Sequence, residues 1–268
     1  MLPSVSSQST ERRSERSPVI EVLGVTRVFA GATGEVTALH DVDVTISEGE
    51  FVSFVGPSGC GKSTLLNIIA GLLAPSSGSV LLHGQEVREP SRKVGFMFQA
   101  PVLLPWRTVE RNVLLPAEVF GGDKLASTEK ARAAIDLVGL AEFTRSFPHQ
   151  LSGGMQQRVA LARVLAYEPE LVLMDEPFGS LDEFTREAMN LELFRVTDAA
   201  RMTVAFVTHN IGEAVFLSDR VVVMTPRPGE VAGVIDVGLE RPRDISVMHD
   251  RAFSDLVFEV RDILGGKR

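Results

Sequence analysis

The sequence predicts an α/β fold, a sheet with helices packed on it and a helical segment inserted into it. Three observations carry this. Short runs rich in β-branched residues recur along the chain, and runs of helical periodicity lie between them. From about Ala100 to Ala166 the helical pattern is nearly continuous. At 268 residues and 44% hydrophobic content, the chain can bury one substantial core.

The elements follow in order. The polar start, "MLPSVSSQSTERRSERSPV", is expected to be a disordered tail over residues 1–18. It has no apolar core segment, so the Arg12-Arg13 pair is not an export signal. "VIEVLGVTRVF" and "VTALHDVDVTI" alternate and read as strands, and "EGEFVSFVG" as a buried one. In "GKSTLLNIIAGLL" the period changes, and Leu65, Ile68, Ile69 and Leu72 fall on one helical face. "GSVLLHGQEV" and "KVGFMFQ" return to strand character. "STEKARAAIDLVGLAEF" reads as a helix capped by Ser127 or Thr128, and "GMQQRVALARVLA" as a second helix. "ELVLMDEP" is a short buried strand, "DEFTREAMNLELFRVTDAA" an amphipathic helix and "MTVAFVTH" another strand. "FSDLVFEVRDIL", in a helical extension over 241–268, reads as a packing or dimer helix.

Composition narrows the function. A net charge of −8 argues against a broad nucleic-acid face. One cysteine forms no internal disulfide. Apolar runs such as "LVLM" and "VVVM" are too short to span a bilayer.

"GPSGCGKST" carries the chemistry. Gly56, Pro57, Ser58, Gly59, Cys60, Gly61, Lys62, Ser63 and Thr64 match the phosphate-loop pattern between an apolar strand and an apolar helix. Glycines let backbone N–H groups close around phosphate oxygens, and the helix N-terminus adds partial positive charge. Lys62 would hold the β- and γ-phosphates, and the Ser63 hydroxyl would ligate Mg²⁺. In "LVLMDEP", Asp175 ends a strand where it can hold Mg²⁺, and Glu176 can take a proton from attacking water; otherwise both acids simply open a turn. His209 at a strand end is either structural or catalytic. Gln99 could equally be a surface glutamine. In "LSGGMQQR", Ser152, Gly153 and Gly154 sit at a helix N-terminus that is either a plain cap or a second anion-reading element.

Taken in this order, the motifs resemble the ATP-binding subunit of ABC transporters over about residues 19–240. Both Walker motifs, Gln99, "LSGGMQQR", "SLD" and His209 stand in family order. Met155, where glutamine is commoner, is similar to importers of nitrate, sulfonate and taurine, as are "LLPWRTVERNV" and "MTPRPGEV". The resemblance implies a RecA-like phosphate-loop ATPase core with an antiparallel β subdomain and a helical subdomain inserted over about 100–158. It implies that Phe29 stacks on adenine, the rival being a core phenylalanine. Gln99 would sense Mg²⁺ and water, and Ser152, Gly153 and Gly154 would meet ATP bound mainly to a second copy. Asp182 would shape the dimer seam or cap a helix, and His209 would hold the γ-phosphate. ATP and Mg²⁺ are the implied cofactors. The implied partners are a second copy, two transmembrane permease subunits and, indirectly, a solute-binding protein, with peripheral attachment at the cytoplasmic face of the membrane. A lipid-transport or cell-division ATPase is the alternative. Leu103, Leu104 and Trp106 form an apolar turn that either receives a permease helix or is buried.

Cys60 lies within the phosphate loop, either as an accessible thiol or as a buried inert one. If it is accessible, stoichiometric alkylation is expected to abolish ATP binding, with ATP protecting the thiol; ATPase activity surviving full modification would remove the loop geometry proposed from sequence.

Overall fold

A computed structural model describes residues 17–31 and 34–266, so the tail expected over 1–18 lies almost wholly outside the described residues. The chain forms two compact units. One comprises the described residues up to Ser91 together with those from Thr197 onward, and the other is Arg92–Val196.

The first unit holds an antiparallel sheet built on β1 (Pro18–Gly31) and β2 (Gly34–Ser47). β4 (Ser77–Leu82) pairs with the other edge of β1, and the two-residue β5 (Gln85–Glu86) pairs with β4. Alternation puts Ile20 and Val22 of β1 and Val42, Val44 and Ile46 of β2 in the core. A second group of strands is parallel. β3 (Phe51–Val55) lies between β8 (Val204–Thr208) and β9 (Arg220–Met224), and β10 (Val231–Asp236) runs antiparallel on β9. Every residue of β3, β8 and β9 is buried, which is why these strands read as continuous apolar runs without alternation.

Helix α1 (Lys62–Ile69) follows β3 and buries Leu65, Leu66, Ile68 and Ile69. Leu72, expected on the same face, lies beyond the helix end and is 52% exposed. The correction has a local cause: the chain leaves the helix at Ala70 and turns at Gly71, whose φ is 72°. Two helices downstream complete the unit. After β8, α7 (Ile211–Leu217) is capped by Asn210, which accepts from Glu213 N. Its last carbonyls are met by buried Arg243, which donates to Val215, Phe216 and Ser218. Burial lowers the Arg243 pKa to about 10. The segment "FSDLVFEVRDIL" lies in α8 (Arg251–Leu264), which packs on α7, β9 and β10 with Phe253 and Val260 buried.

The second unit pairs β6 (Val94–Met97) in parallel with β7 (Leu171–Asp175). Around them run α2 (Val109–Val113), α3 (Leu115–Phe120), α4 (Lys124–Leu137), α5 (Gly153–Leu165) and α6 (Glu183–Ala199). The cap of α4 is Asp123, which accepts from Ala126 N at 2.8 Å, and not Ser127 or Thr128. Those two lie inside the helix, where the Thr128 hydroxyl turns back to Lys124 O. The carboxylate upstream satisfies the first-turn donors, so the helix starts earlier.

One buried ion pair ties the first unit together. Arg220 on β9 donates to Glu50 Oε1 at 2.8 Å and to Thr45 O at 3.1 Å. Glu50 Oε2 in turn accepts from Ser47 N. Both side chains are 6% exposed. Removing one partner strands the other charge away from water. Glu50→Ala is expected to cost about 3 kcal/mol or more in urea unfolding, whereas the paired change Glu50→Met/Arg220→Met costs less than either single change.

Candidate functional site

The phosphate loop spans the six residues between β3 and α1. Gly61 has φ 106°, and a Cβ there would lie 2.6 Å from Leu39 Cδ2 and 2.8 Å from Ala38 O. Only glycine fits. Lys62 is 5% exposed, yet its ammonium is hydrogen-bonded: Nζ donates to Gly56 O at 2.8 Å and Pro57 O at 3.1 Å. It also lies 3.7 Å from Cys60 Sγ, and that thiol is 1% exposed. The positive charge therefore sits inside the curl of the loop, satisfied by loop carbonyls. Pro57, Ser58, Gly59 and Ser63 face solvent. Basic charge, outward backbone and a helix N-terminus together suit a polyphosphate.

The segment between β9 and β10 backs this loop. Gly229 N donates to Ala38 O, and His40 N to Gly229 O. Gly229 lies so close to the loop that a Cβ on it would be 2.0 Å from Cys60 O. Arg227 Nη2 donates to Gly59 O at 3.3 Å. None of this segment was expected at the site from sequence; "MTPRPGEV" marked only a subgroup.

In the same unit, Val55 pairs with Thr208, so Gly56 and His209 leave neighbouring parallel strands at the same carboxyl end. His209 is exposed. Its base is fixed, because Thr208 Oγ1 donates to the buried Glu213 carboxylate and accepts from Asn210 N. Phe29 is 37% exposed, with the Arg27 guanidinium 4.6 Å from the ring centroid, so it is not a core phenylalanine.

In the second unit, Met97 pairs with Met174. Gln99 and Glu176 each stand two residues beyond that pair, at one strand edge. Both border Gly179: a Cβ placed there would lie 3.5 Å from Gln99 Nε2 and 3.5 Å from Glu176 Oε2. Glu176 holds φ 44°, a left-handed conformation uncommon for a side-chain-bearing residue. The turn is closed by Gly179 N donating to Glu176 O. Asp175, the last residue of β7, is half-buried.

Ser152 caps α5, accepting from Met155 N at 3.3 Å. Ser152 and Gly153 are exposed, and no atom approaches within 4 Å of a Cβ position on Gly153. The Cβ position of Gly154 lies 3.0 Å from Thr185 Cγ2. Asp182 holds Thr185 through its backbone N–H and hydroxyl, which keeps the Asp182 carboxyl below the usual range. Asp182 is thus the cap of α6. In the apolar turn, Trp106 is 71% exposed and Val102 55%, so that tryptophan is not buried.

Comparison with known proteins agrees with this arrangement. The sequence profile of the ABC transporter family matches residues 39–179. The chain belongs to the ABC transporter family. It is an ATP-hydrolysing cassette with a phosphate-loop α/β fold. It is 42% identical over 225 residues to an aliphatic sulfonates import ATP-binding protein of Bacillus thuringiensis subsp. konkukian, covering 84% of this chain and 88% of that one. It is 42% identical over 246 residues to a nitrate import ATP-binding protein of Synechococcus elongatus, covering 90% and 89%. Among solved structures, a dimeric bacterial ABC transporter cassette superposes with TM-score 0.72 at 35% identity, covering 81% of this chain and 98% of that one. A post-hydrolysis dimer of that protein, bound to ADP and Pi, gives 0.71 at 34% with the same coverage.

The cassette contains functional positions that no motif marks, Gly229 foremost. An alanine there must displace the Cys60 carbonyl and with it the loop. Gly229→Ala is expected to weaken ATP binding by about tenfold or more with the far-UV spectrum unchanged, measured by calorimetric titration.

Proposed function

We propose that this cassette powers import of a small solute such as nitrate, a sulfonate or taurine, working as a homodimer beneath two transmembrane permease subunits, with a solute-binding protein acting indirectly. Similarity to the sulfonate and nitrate import proteins supports the solute class. The observation that carries the catalytic reading is that Gln99 and Glu176 leave the paired strands β6 and β7 at the same end and both border Gly179. Among the described residues no helix is long and apolar enough to cross a membrane, so attachment at the cytoplasmic face would run through the permease. The helical subdomain inserted over about 100–158, within a nucleotide-binding domain of 19–240, carries the apolar turn at Val102 and Trp106 that would meet it.

The residues divide the work. Phe29 offers a ring face to adenine, and Gly56 to Thr64 wrap the phosphates. Lys62 exchanges loop carbonyls for phosphate oxygens and offsets the charge that develops on them. Glu176 accepts a proton as water attacks the γ-phosphorus and the bond to the β-phosphate oxygen breaks. Gln99 orients that water, and His209 holds the γ-phosphate. Ser152, Gly153 and Gly154 have no lysine beside them and are too weak to hold a triphosphate alone. They suit a γ-phosphate already bound by a second copy, so closure of the dimer completes the site and hydrolysis releases it.

Mg²⁺ fits the donor set. Mg²⁺ is commonly held by one or two carboxylates, water and phosphate. Ser63 of the first unit, and Gln99 and Asp175 of the second, each carry a hard oxygen donor of that kind. The ion, when bound, would neutralise phosphate charge.

Glu176→Gln is expected to bind MgATP, to lose hydrolysis by roughly 10²–10⁴-fold and to accumulate as a dimer on size exclusion. Hydrolysis at the normal rate would remove Glu176 from the base role. A mild-detergent pull-down from native membranes tests the transport role. A polytopic permease supports it, and a lipid-transfer or division complex overturns it.

A further inference from the structure

The loop that follows Gln99 is held by side chains that play no part in nucleotide chemistry. Gln157 on α5 is 1% exposed, and its Nε2 donates to the main-chain oxygen of Gln99 at 2.8 Å. Six residues later on the same helix, Arg163 donates to Val102 O at 2.7 Å and to Pro101 O at 3.0 Å. Beyond them, Asn112, fully buried, binds Leu104 N and O, Arg107 O and Thr108 O. The backbone from Gln99 to Thr108 is thus tied at successive points, and two of the ties come from α5, whose first turn is Ser152 to Met155.

Gln157 is a costly residue at this position. Its Oε1 is buried and has no hydrogen-bond partner. Leaving such an acceptor unmet costs about 1–3 kcal/mol, which an apolar side chain of the same length would avoid. Packing therefore does not account for the amide, and its donor half has one use, the Gln99 carbonyl.

We infer that Gln157 is a positioning residue that couples the helix starting at Ser152 to the backbone of Gln99, so that engagement of the first is transmitted to the second and to the exposed turn at Val102 and Trp106. Arg163 extends the same tie. The inference rests on the proposed reading that Ser152 to Gly154 meet ATP on a second copy. It deepens that reading by giving the signal a route along α5, separate from the phosphate loop of the same chain.

Trp106 is the only tryptophan, so its fluorescence reports this turn alone. The experiment adds MgATP to purified Glu176→Gln protein and follows dimer formation by size exclusion and Trp106 emission and acrylamide quenching together. The same measurements are made on Glu176→Gln carrying Gln157→Met or the shorter Gln157→Leu, both of which remove both amide groups. The expected result is that all three form the MgATP dimer, while the Trp106 response shrinks by roughly fivefold or more in both Gln157 variants. Undiminished Trp106 responses in those variants overturn the coupling and leave the dimer reading intact. A dimer of the Glu176→Gln parent without any Trp106 response also overturns it. Absence of an MgATP dimer in the parent overturns the dimer reading itself, and the coupling with it. Should Gln157→Met fail to fold, Gln157→Leu carries the test alone.

Discussion

The site depends on a stretch of backbone that must lie bare between two other stretches of backbone. The phosphate loop is pressed on one side by Ala38 and Leu39 of β2 and on the other by Gly229, at distances that leave no room for a Cβ on Gly61 or Gly229. Within this tight frame Lys62 lies among the carbonyls of Gly56 and Pro57. A buried ammonium unpaired would be costly; here it is hydrogen-bonded to loop carbonyls, close to where phosphate oxygens would replace them. The strands behind the loop serve the same end. The fully buried β3, β8 and β9 give it a rigid floor, and the Glu50–Arg220 pair fixes β9 to the start of β3.

The second unit works by a different means. Its candidate residues stand on short turns rather than in a packed cradle, and polar side chains set those turns. Thr185 and Asp182 hold the start of α6 against Gly154, and buried Asn112 organises the turn that exposes Trp106. Asn112 answers backbone donors and acceptors that would otherwise be buried unmet. The left-handed φ of Glu176 belongs to this pattern: a carboxylate aimed by its turn and not by its own rotamer alone.

Much of this was legible because the motifs are contiguous. The phosphate loop, the strand ending in Asp175 with Glu176 after it, and the cap at Ser152 each carry their residue types at fixed spacing within a few positions, so the motifs were enough to read them. Gly229, Gln157, Asn112 and Arg163 were not legible. Three of the four are unremarkable polar or glycine residues by sequence, and their partners lie at separations of up to 169 residues, as between Cys60 and Gly229. Asn112 has nearer partners, but they are carbonyls, which carry no sequence signal. The misplaced cap at Ser127 or Thr128 has another cause. Periodicity shows which face a helix buries but not where its backbone donors run out, and Asp123 decided that locally.

The floor beneath the phosphate loop is assembled from both ends of the chain. β3 pairs with β8 and β9, and the loop's backing comes from Gly229, all of them translated long after Gly56. At typical synthesis rates the ribosome needs roughly 10–35 s to travel from the loop to Gly229. A nascent chain therefore carries the complete phosphate-loop sequence for that interval without the strands that shape it. The shielding of Cys60 is likewise acquired only at the end, which makes the unfinished polypeptide, and not the mature cassette, the form most open to oxidants.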